Sequence, residues 1–214
     1  MPQNKNKDAC FVGFGSLGKS VANLLKFSSN FKLLKFDDNL TNLNTRNAFS
    51  FEDFQKETFM NNNFYLGIGY KNFDTKSKIL DRLRILKRSL PHFIHKSAHF
   101  DVSAKIGKGC YIFPMSNIDR NVILKDGVLI NNSVIISHDS IIGEGSYISP
   151  GVIVSGNVSI GKYTFIGSGA VIRDGISIGD NCIVGMNSSV QFDIPSESNV
   201  IGNPLKFLKK KLLL

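Results

Sequence analysis

The feature that most constrains this chain is a strict six-residue repeat that runs through its second half. An aliphatic residue recurs at every sixth position from Ile106 to Val190 without one slip, and the same phase extends back to Ile94. Four residues after each of them comes a small or β-branched residue. A helix repeats every 3.6 residues and a strand every two, so neither explains a period of six. The repeat predicts a stacked solenoid in which each short strand buries its aliphatic residue against copies above and below.

Composition and charge narrow the class of protein. The chain has 214 residues, of which 42% are hydrophobic, and no apolar run approaches the roughly 18 residues of a spanning helix. Its N-terminus lacks the apolar stretch of a secretory signal, so we expect a cytoplasmic protein. The net charge of +9 divides into +7 on residues 1–93, −1 on residues 94–196 and +3 on residues 197–214. The repeats thus carry no basic stripe, and we expect neither a nucleic-acid partner nor stable membrane insertion.

The first 93 residues follow a different pattern. They alternate as strand, helix, strand, strand and helix, which predicts a small α/β unit with a parallel sheet. The predicted elements are strands at ACFVG, KLLKF and Tyr65–Gly69 and helices over about Ser16–Phe27 and 74–89. The Asn-rich stretch 39–48 is predicted to be a loop. The expected domains are therefore 1–93, 94–196 and a C-terminal tail, 197–214.

The turn after the first strand has the pattern GxGxxG, from Gly13 to Gly18, and Asp37 follows 19 residues later. This is the fingerprint of a dinucleotide site, where phosphates lie over the backbone N–H groups at a helix N-terminus. A complete doubly wound fold needs two such halves, and about 93 residues provide one. A mononucleotide or sugar nucleotide is therefore favoured over a redox dinucleotide. A tight structural turn without a ligand is the alternative.

One histidine, His138, lies within the repeats beyond residue 99, and Asp139 follows it directly. An imidazole can accept a proton near neutral pH, and a neighbouring carboxylate favours its protonated form. Gly156 is 18 residues away and is predicted to stack beside His138, leaving open space and a backbone N–H suited to an oxyanion. An exposed surface histidine is the alternative. The other three histidines lie close together near residue 95 with no cysteine or fourth ligand, so we predict no metal site.

Taken together, these features resemble the NeuD/PglD-type sugar acetyltransferases over about residues 9–208. The resemblance rests on the glycine loop, the Asp-Asp strand end, the junction Ile94–Ala98, the uninterrupted hexads with a His-Asp pair, and the closing Gly202-Asn203-Pro204. It implies a Rossmann-like half-domain followed by a left-handed parallel β-helix, with three hexads to each triangular coil and thus between five and six coils. It also implies acetyl-CoA as co-substrate, a nucleotide sugar as acceptor, and a homotrimer whose clefts lie between neighbours.

The resemblance further implies a role for individual residues. His138 matches the catalytic base and Asp139 the acid that raises its basicity. The other matching positions are Asn131 in the active site, Gly15, Ser16, Leu17, Asp37, Asp38 and Gly69 at the nucleotide sugar, and Tyr147, Gly156, Ser168 and Met186 at acetyl-CoA. Two positions depart from the pattern: Tyr147 stands where a second histidine is common, and Phe14 replaces a small residue in the glycine loop.

These features lead to the hypothesis of direct acyl transfer from acetyl-CoA to the amino group of a nucleotide-linked 4-amino-dideoxy sugar, with UDP as the expected nucleotide. A thioester is already activated, so proximity and a base are sufficient without a metal or a covalent intermediate. An O-acetyltransferase acting on a hydroxyl, for instance of a sialic acid, is the nearest alternative. A trimeric β-helix scaffold without catalytic activity is an alternative of another class.

Overall fold

The structure is a computed structural model that describes residues 8–25, 32–39 and 45–209. Contacts divide the chain into two compact units, residues 1–91 and 92–214. The predicted helix end at Phe27, the middle of the Asn-rich loop and the last five residues of the tail lie outside the described residues.

The first unit is built on a parallel sheet whose strand order is β3-β2-β1-β4. Its described elements are β1 (Ala9–Val12), α1 (Ser16–Leu25), β2 (Leu33–Phe36), β3 (Ala48–Phe49), β4 (Asn63–Leu66) and α2 (Phe73–Ile85), with 3₁₀ turns at Phe51–Gln55, Glu57–Phe59 and Tyr70–Asn72. The chain first adds strands on one side of β1 and then returns to its other side with β4. The loops that follow β1 and β4 therefore open side by side at the carboxyl edge of the sheet.

Two details of this sheet differ from the sequence prediction. The short strand β3 lies at the end of the stretch that we predicted to be a loop. The third predicted strand is β4, which begins at Asn63 and ends at Leu66, before the glycine-rich turn. The buried side chains of this unit include Phe11, Phe36 and Phe64 from the strands and Ile79, Leu80 and Leu83 from α2.

The second unit is a parallel β-solenoid of about six turns, as the hexads predicted. Its two- and three-residue strands stack into three sheets, which we call the first, second and third faces in chain order. The first face holds Phe93–Ile94, Tyr111–Ile112, Leu129–Ile130, Tyr147–Ile148, Phe165–Ile166, Ile183–Val184, Asn199–Ile201 and the antiparallel Lys206–Phe207. The second holds His99–Phe100, Asn117–Ile118, Ile135–Ile136, Ile153–Val154, Val171–Ile172 and Ser189–Val190. The third holds Lys105–Ile106, Ile123–Leu124, Ile141–Ile142, Ser159–Ile160 and Ser177–Ile178.

The interior of the solenoid explains the six-residue period. The second residue of each of the two-residue parallel strands points inward, and Ile112, Ile130, Ile136 and Ile148 are fully buried. Backbone groups bond to the coil 18 residues further on, as from the Ser137 N–H to the Val154 carbonyl at 2.9 Å. Polar residues inside are satisfied in the same way. One small hydroxyl residue shows this: Ser140 Oγ donates to the Ser155 carbonyl at 3.0 Å and accepts from the Val158 N–H at 3.1 Å.

The chain turns between faces at three corners, which we number after the face that precedes them. The second corner places residues spaced by 18 in one column: Arg120, His138, Gly156, Asp174 and Phe192. The residue after each of the first four column members adopts the left-handed region, with φ of 57° at Asn121 and 59° at Asp139. Asparagine, aspartate and glycine tolerate this conformation best. The residue types that can occupy the corner are therefore limited mainly by the backbone conformation there and by contact with the coils above and below.

Candidate active site

His138 lies half-buried at the second corner, and its partner is the residue that follows it. Its Nδ1 is 2.9 Å from Oδ2 of Asp139. An ionised carboxylate only accepts hydrogen bonds, so the neutral imidazole carries its hydrogen on Nδ1 and its lone pair on Nε2. The arrangement therefore leaves Nε2 as the nitrogen that can take a proton.

Asp139 is itself fixed by residues of the preceding coil. Its Oδ1 accepts a hydrogen bond of 2.9 Å from Asn121 Nδ2, and its Oδ2 lies 3.2 Å from the Arg120 guanidinium. The hydrogen bonds from Asn121 and then from His138, with the charge of Arg120, hold the pKa of Asp139 below its usual value. The carboxylate thus stays ionised and keeps the imidazole oriented.

Gly156 lies one coil beyond His138, and the space beside its Cα is not open. A Cβ atom on Gly156 would lie 2.6 Å from Cε1 and 2.8 Å from Nε2 of His138, and 2.9 Å from Oδ1 of Asp174. The expectation of open space is therefore wrong, because the edge of the imidazole ring occupies it. Any larger residue at this position would push the ring away.

A second group of predicted residues lies at the first corner and on the first face beside it, across the second face from His138. Asn131 Nδ2 donates a hydrogen bond of 2.9 Å to the Tyr147 hydroxyl, and the Tyr147 ring stacks on Phe165 with centroids 5.7 Å apart. Ser168 and Met186 are exposed in one column of the same corner. In each coil, a strand of the second face lies between the first corner and the second corner. This face therefore separates these four predicted residues from His138, Asp139 and Gly156.

The glycines of the loop after β1, and Gly67 after β4, differ in what surrounds them. Gly13 adopts a φ of +79°, and a Cβ there would lie 2.7 Å from Ile68. A Cβ on Gly18 would lie 2.8 Å from the Gly13 carbonyl oxygen, and one on Gly67 would overlap that oxygen. Gly15 has neither constraint: its φ is ordinary and nothing lies within 4 Å of a Cβ there. Packing therefore explains three of these glycines and leaves Gly15 unexplained.

The remaining predicted nucleotide-sugar residues lie around this loop. Ser16 and Leu17 form the first turn of α1, and a Cβ on Gly69 would lie 3.9 Å from Leu17 Cδ2, which brings the end of β4 beside the loop. Asp37 Oδ2 accepts a hydrogen bond of 2.8 Å from the Phe14 N–H, so this carboxylate fixes the glycine loop. Asp38 Oδ1 accepts one of 2.8 Å from the Phe51 N–H.

Sequence reasoning missed two residues around His138. Asn121 holds Asp139, and Asp174 faces the same side of Gly156 as the imidazole edge. Both follow from the 18-residue spacing, because Asn121 is one coil before Asp139 and Asp174 is two coils after His138. Within residues 8–25, 32–39 and 45–209, no group of three or more His, Cys, Asp or Glu side chains is arranged to hold a metal ion. No helix in the same ranges is long and apolar enough to cross a membrane.

Fold and site together define a hexad-repeat solenoid with a histidine–carboxylate pair at one corner, preceded by a small parallel α/β unit. A family model described as the GMPPB C-terminal domain matches residues 94–190. A comparison with curated protein sequences found no match.

Solved structures that resemble the chain cover nearly all of it. The acetyltransferase domain of PglB from Neisseria gonorrhoeae is 27% identical, with a TM-score of 0.84 over 95% of this chain and 100% of that domain, and it has also been solved with acetyl coenzyme A. PerB from Caulobacter crescentus, solved with CoA and GDP-perosamine, has the same fold at 24% identity, with a TM-score of 0.85 over 95% of this chain and 98% of that one. A variant of perosamine N-acetyltransferase from the same organism has the fold at 23% identity and a TM-score of 0.87, over 96% and 98% of the two chains. These neighbours confirm the resemblance to the hexapeptide-repeat sugar acetyltransferases, and the chain is an acyltransferase.

Proposed function

We propose that this protein transfers the acetyl group of acetyl-CoA to the amino group of a nucleotide-linked 4-amino-dideoxy sugar in bacterial glycan biosynthesis. The observation that carries the proposal is the 2.9 Å contact between His138 Nδ1 and Asp139, which presents Nε2 as a proton acceptor. The neighbouring structures support the reaction class, since they include an acetyltransferase domain solved with acetyl coenzyme A. Acetyl-CoA and nucleotide sugars are cytoplasmic metabolites, so we place the reaction in the cytoplasm.

In the proposed mechanism, the amine nitrogen of the sugar attacks the thioester carbonyl carbon. His138 Nε2 takes the proton that this nitrogen must lose, the C–S bond breaks, and CoA leaves as the thiolate. The products are the acetamido sugar and CoA. Asp139 stabilises the imidazolium that forms, because its carboxylate remains ionised. Whether the Gly156 N–H holds the oxyanion stays a prediction, and the Asp174 carboxylate on the same side of Gly156 disfavours a second negative charge there.

We propose that the first unit is a Rossmann-like half-domain that binds the nucleotide. Its strand order, with β1 between β2 and β4, is that of one half of a doubly wound sheet, and the glycine loop lies where the order reverses. The unexplained glycine, Gly15, lets a phosphate approach the first turn of α1, to which Ser16 and Leu17 belong. Asp37, Asp38 and Gly69 lie around the same loop as the proposed contacts to the rest of the nucleotide. UDP is the nucleotide that we propose, and GDP is the one to test against it.

We propose that the second unit is a left-handed β-helix that assembles as a homotrimer. Asn131, Ser168 and Met186 lie at the first corner, with Tyr147 beside them on the first face. His138 lies at the second corner, and the second face separates it from these residues. A cleft between neighbouring copies brings the second corner of one chain to the first corner of the next, which completes a site that one chain leaves divided. Acetyl-CoA then lies in that cleft along Tyr147, Ser168 and Met186 of one copy and Gly156 of the other.

The test is a panel of UDP- and GDP-linked 4-amino sugars with acetyl-CoA, followed by release of the free CoA thiol. We expect acetylated sugar and thiol in equal amounts. Replacement His138→Ala is expected to lower kcat/KM by about 10²- to 10⁴-fold, because a positioned general base contributes that much. The control is Lys105→Ala, which changes an exposed residue on the third face and is expected to leave the rate unchanged.

Three outcomes would contradict the proposal. Wild-type activity in His138→Ala would remove the base assignment. Transfer to hydroxyl acceptors in preference to amines would indicate the O-acetyltransferase. No thiol release with any amino or hydroxy sugar nucleotide would favour a scaffold without catalysis.

A further inference from the structure

The second corner carries an acidic residue that the mechanism above does not use. Asp174 is in the column of His138, two coils further along, with Gly156 between them. A Cβ on Gly156 would lie 2.8 Å from His138 Nε2 and 2.9 Å from Asp174 Oδ1. The proton-accepting nitrogen and the carboxylate oxygen therefore border the same side of one bare glycine.

The gap between these two atoms has the size of a single bridging group. The two contacts set an upper limit of about 6 Å on the distance between Nε2 and Oδ1. A ligand nitrogen in front of Gly156, clear of its Cα, can therefore lie within hydrogen-bond length of both atoms. No ion pair joins His138 to Asp174 among the described residues, so they are too far apart to satisfy each other directly. A ligand nitrogen can bond to both.

The charges around the corner leave Asp174 available to such a ligand. Asp139, the other carboxylate near the ring, is already bonded to His138, Arg120 and Asn121. Asp174 is exposed and has no ion pair within the described part of the chain. An aliphatic amine is an ammonium ion near neutral pH, whereas a hydroxyl carries no charge. A carboxylate at this point attracts the first and gives little advantage to the second.

From this geometry we propose that Asp174 binds the ammonium group of the acceptor beside His138 Nε2 and so selects amines over hydroxyls. The inference rests on the proposed acetyl transfer and names the group that determines its substrate class. The ammonium loses one proton to solvent before attack, and His138 Nε2 takes the second as the amide forms. Both protons pass to solvent, one of them by way of the imidazole, and the CoA thiolate leaves with the electron pair of the C–S bond.

The experiment compares Asp174→Asn with Glu197→Gln, which removes one exposed carboxylate of the same unit away from the second corner. We expect Asp174→Asn to raise KM for the 4-amino sugar nucleotide about tenfold or more, with KM for acetyl-CoA within about threefold of wild type. Binding of the matched 4-hydroxy sugar nucleotide, measured by calorimetry without acetyl-CoA, is expected to stay the same. Asp174→Glu keeps the charge and is expected to restore part of the affinity for the amine.

The controls distinguish a failure of the Asp174 assignment from a failure of the proposed reaction. Glu197→Gln is expected to match wild type, and all three variants are expected to keep the wild-type thermal midpoint because both side chains are exposed. An equal loss for the amino and the hydroxy sugar, or no change in KM for the amine, would overturn the role of Asp174 while the transfer reaction stands. Absence of transfer by the wild-type protein would instead remove the proposed function.

Discussion

The orientation of His138 depends on one contact from its own coil and on two residues of the preceding coil that act through it. Asp139 fixes Nδ1, and Asn121 and Arg120 of the preceding coil fix Asp139. Since the pKa of Asp139 is lowered in the folded protein, this carboxylate stabilises the fold above its unfolded pKa. The stabilisation is lost as the pH falls through the lowered value, so the contact between Asp139 and the imidazole persists to a lower pH than an unperturbed aspartate would allow.

At the scale of a residue, Gly156 is the position where one methyl group should affect activity most. Replacement Gly156→Ala places a carbon 2.6 Å from His138 Cε1, so the ring must move. A displacement of about 1 Å at a reacting group can lower the rate about 10²-fold. We expect kcat to fall by that order, with the thermal midpoint nearly unchanged because the half-exposed ring can yield. Steady-state kinetics and a melting curve measure both.

The matched control for this change is Gly175→Ala. Gly175 has a φ of +74° and open space around a Cβ, so alanine there strains the backbone without touching His138. The expected result is the reverse: a loss of about 1 kcal/mol of stability with activity retained. If both variants lost activity in proportion to stability, the methyl group at position 156 would not act by displacing His138.

At the scale of the elements, the loop between β1 and α1 separates packing glycines from a binding glycine. Replacement Gly15→Ala adds a methyl group to open space, so we expect an unchanged melting temperature. The same methyl group stands where a phosphate would approach α1, so the Kd for UDP or GDP is expected to rise about tenfold. Calorimetric titration with each nucleotide measures this effect.

The comparison variant in the same loop is Gly13→Ala. Its positive φ and its contact with Ile68 predict a loss of stability, seen as a fall of about 5 °C or more in the melting temperature. Unaltered nucleotide affinity in Gly15→Ala would mean that this loop is a structural turn, the alternative that the sequence left open.

The elements also show what a sequence can and cannot predict. The hexads predicted the buried strand residues, because a buried residue at each sixth position requires one repeating backbone. The pair Ala48–Phe49 has no such pattern, and β3 forms there because β2 offers an unpaired edge. At the corners, the column of His138 follows from spacing, but the direction of its ring and of Asp174 depends on contacts between coils. Because the ring of His138 is directed toward the next coil, the imidazole occupies the space beside Gly156 that the sequence predicted to be open.

At the scale of the whole molecule, the second face carries an exposed apolar column between the two corners that hold the site. Ile135, Ile153 and Val171 are adjacent in the parallel register and are 41%, 39% and 43% exposed. In the proposed trimer this face turns toward the neighbouring copies. Apolar groups lining a face in this way are typical of an association surface.

Replacement Ile153→Glu is therefore expected to dissociate the trimer, because three carboxylates would be brought together away from water. Light scattering after size-exclusion chromatography should show the mass of one chain, and transfer activity should fall with it. The matched control is Ile141→Glu on the third face, where the isoleucine is 38% exposed. We expect this variant to stay trimeric and active. Equal masses for both variants, or an active monomer, would contradict a site shared between copies.

The 18-residue spacing of the corner column has a consequence for how such a protein can change over time. The inward-pointing residues determine the backbone of each coil, and the residues in the column of His138 are not among them. In the proposed role of Asp174, exchange of this one residue alters acceptor preference while the backbone stays as it is. Duplication of a whole coil beyond Asp174 lengthens the solenoid without separating His138, Gly156 and Asp174. Insertion of a single residue before His138 moves it out of line with Gly156 and Asp174.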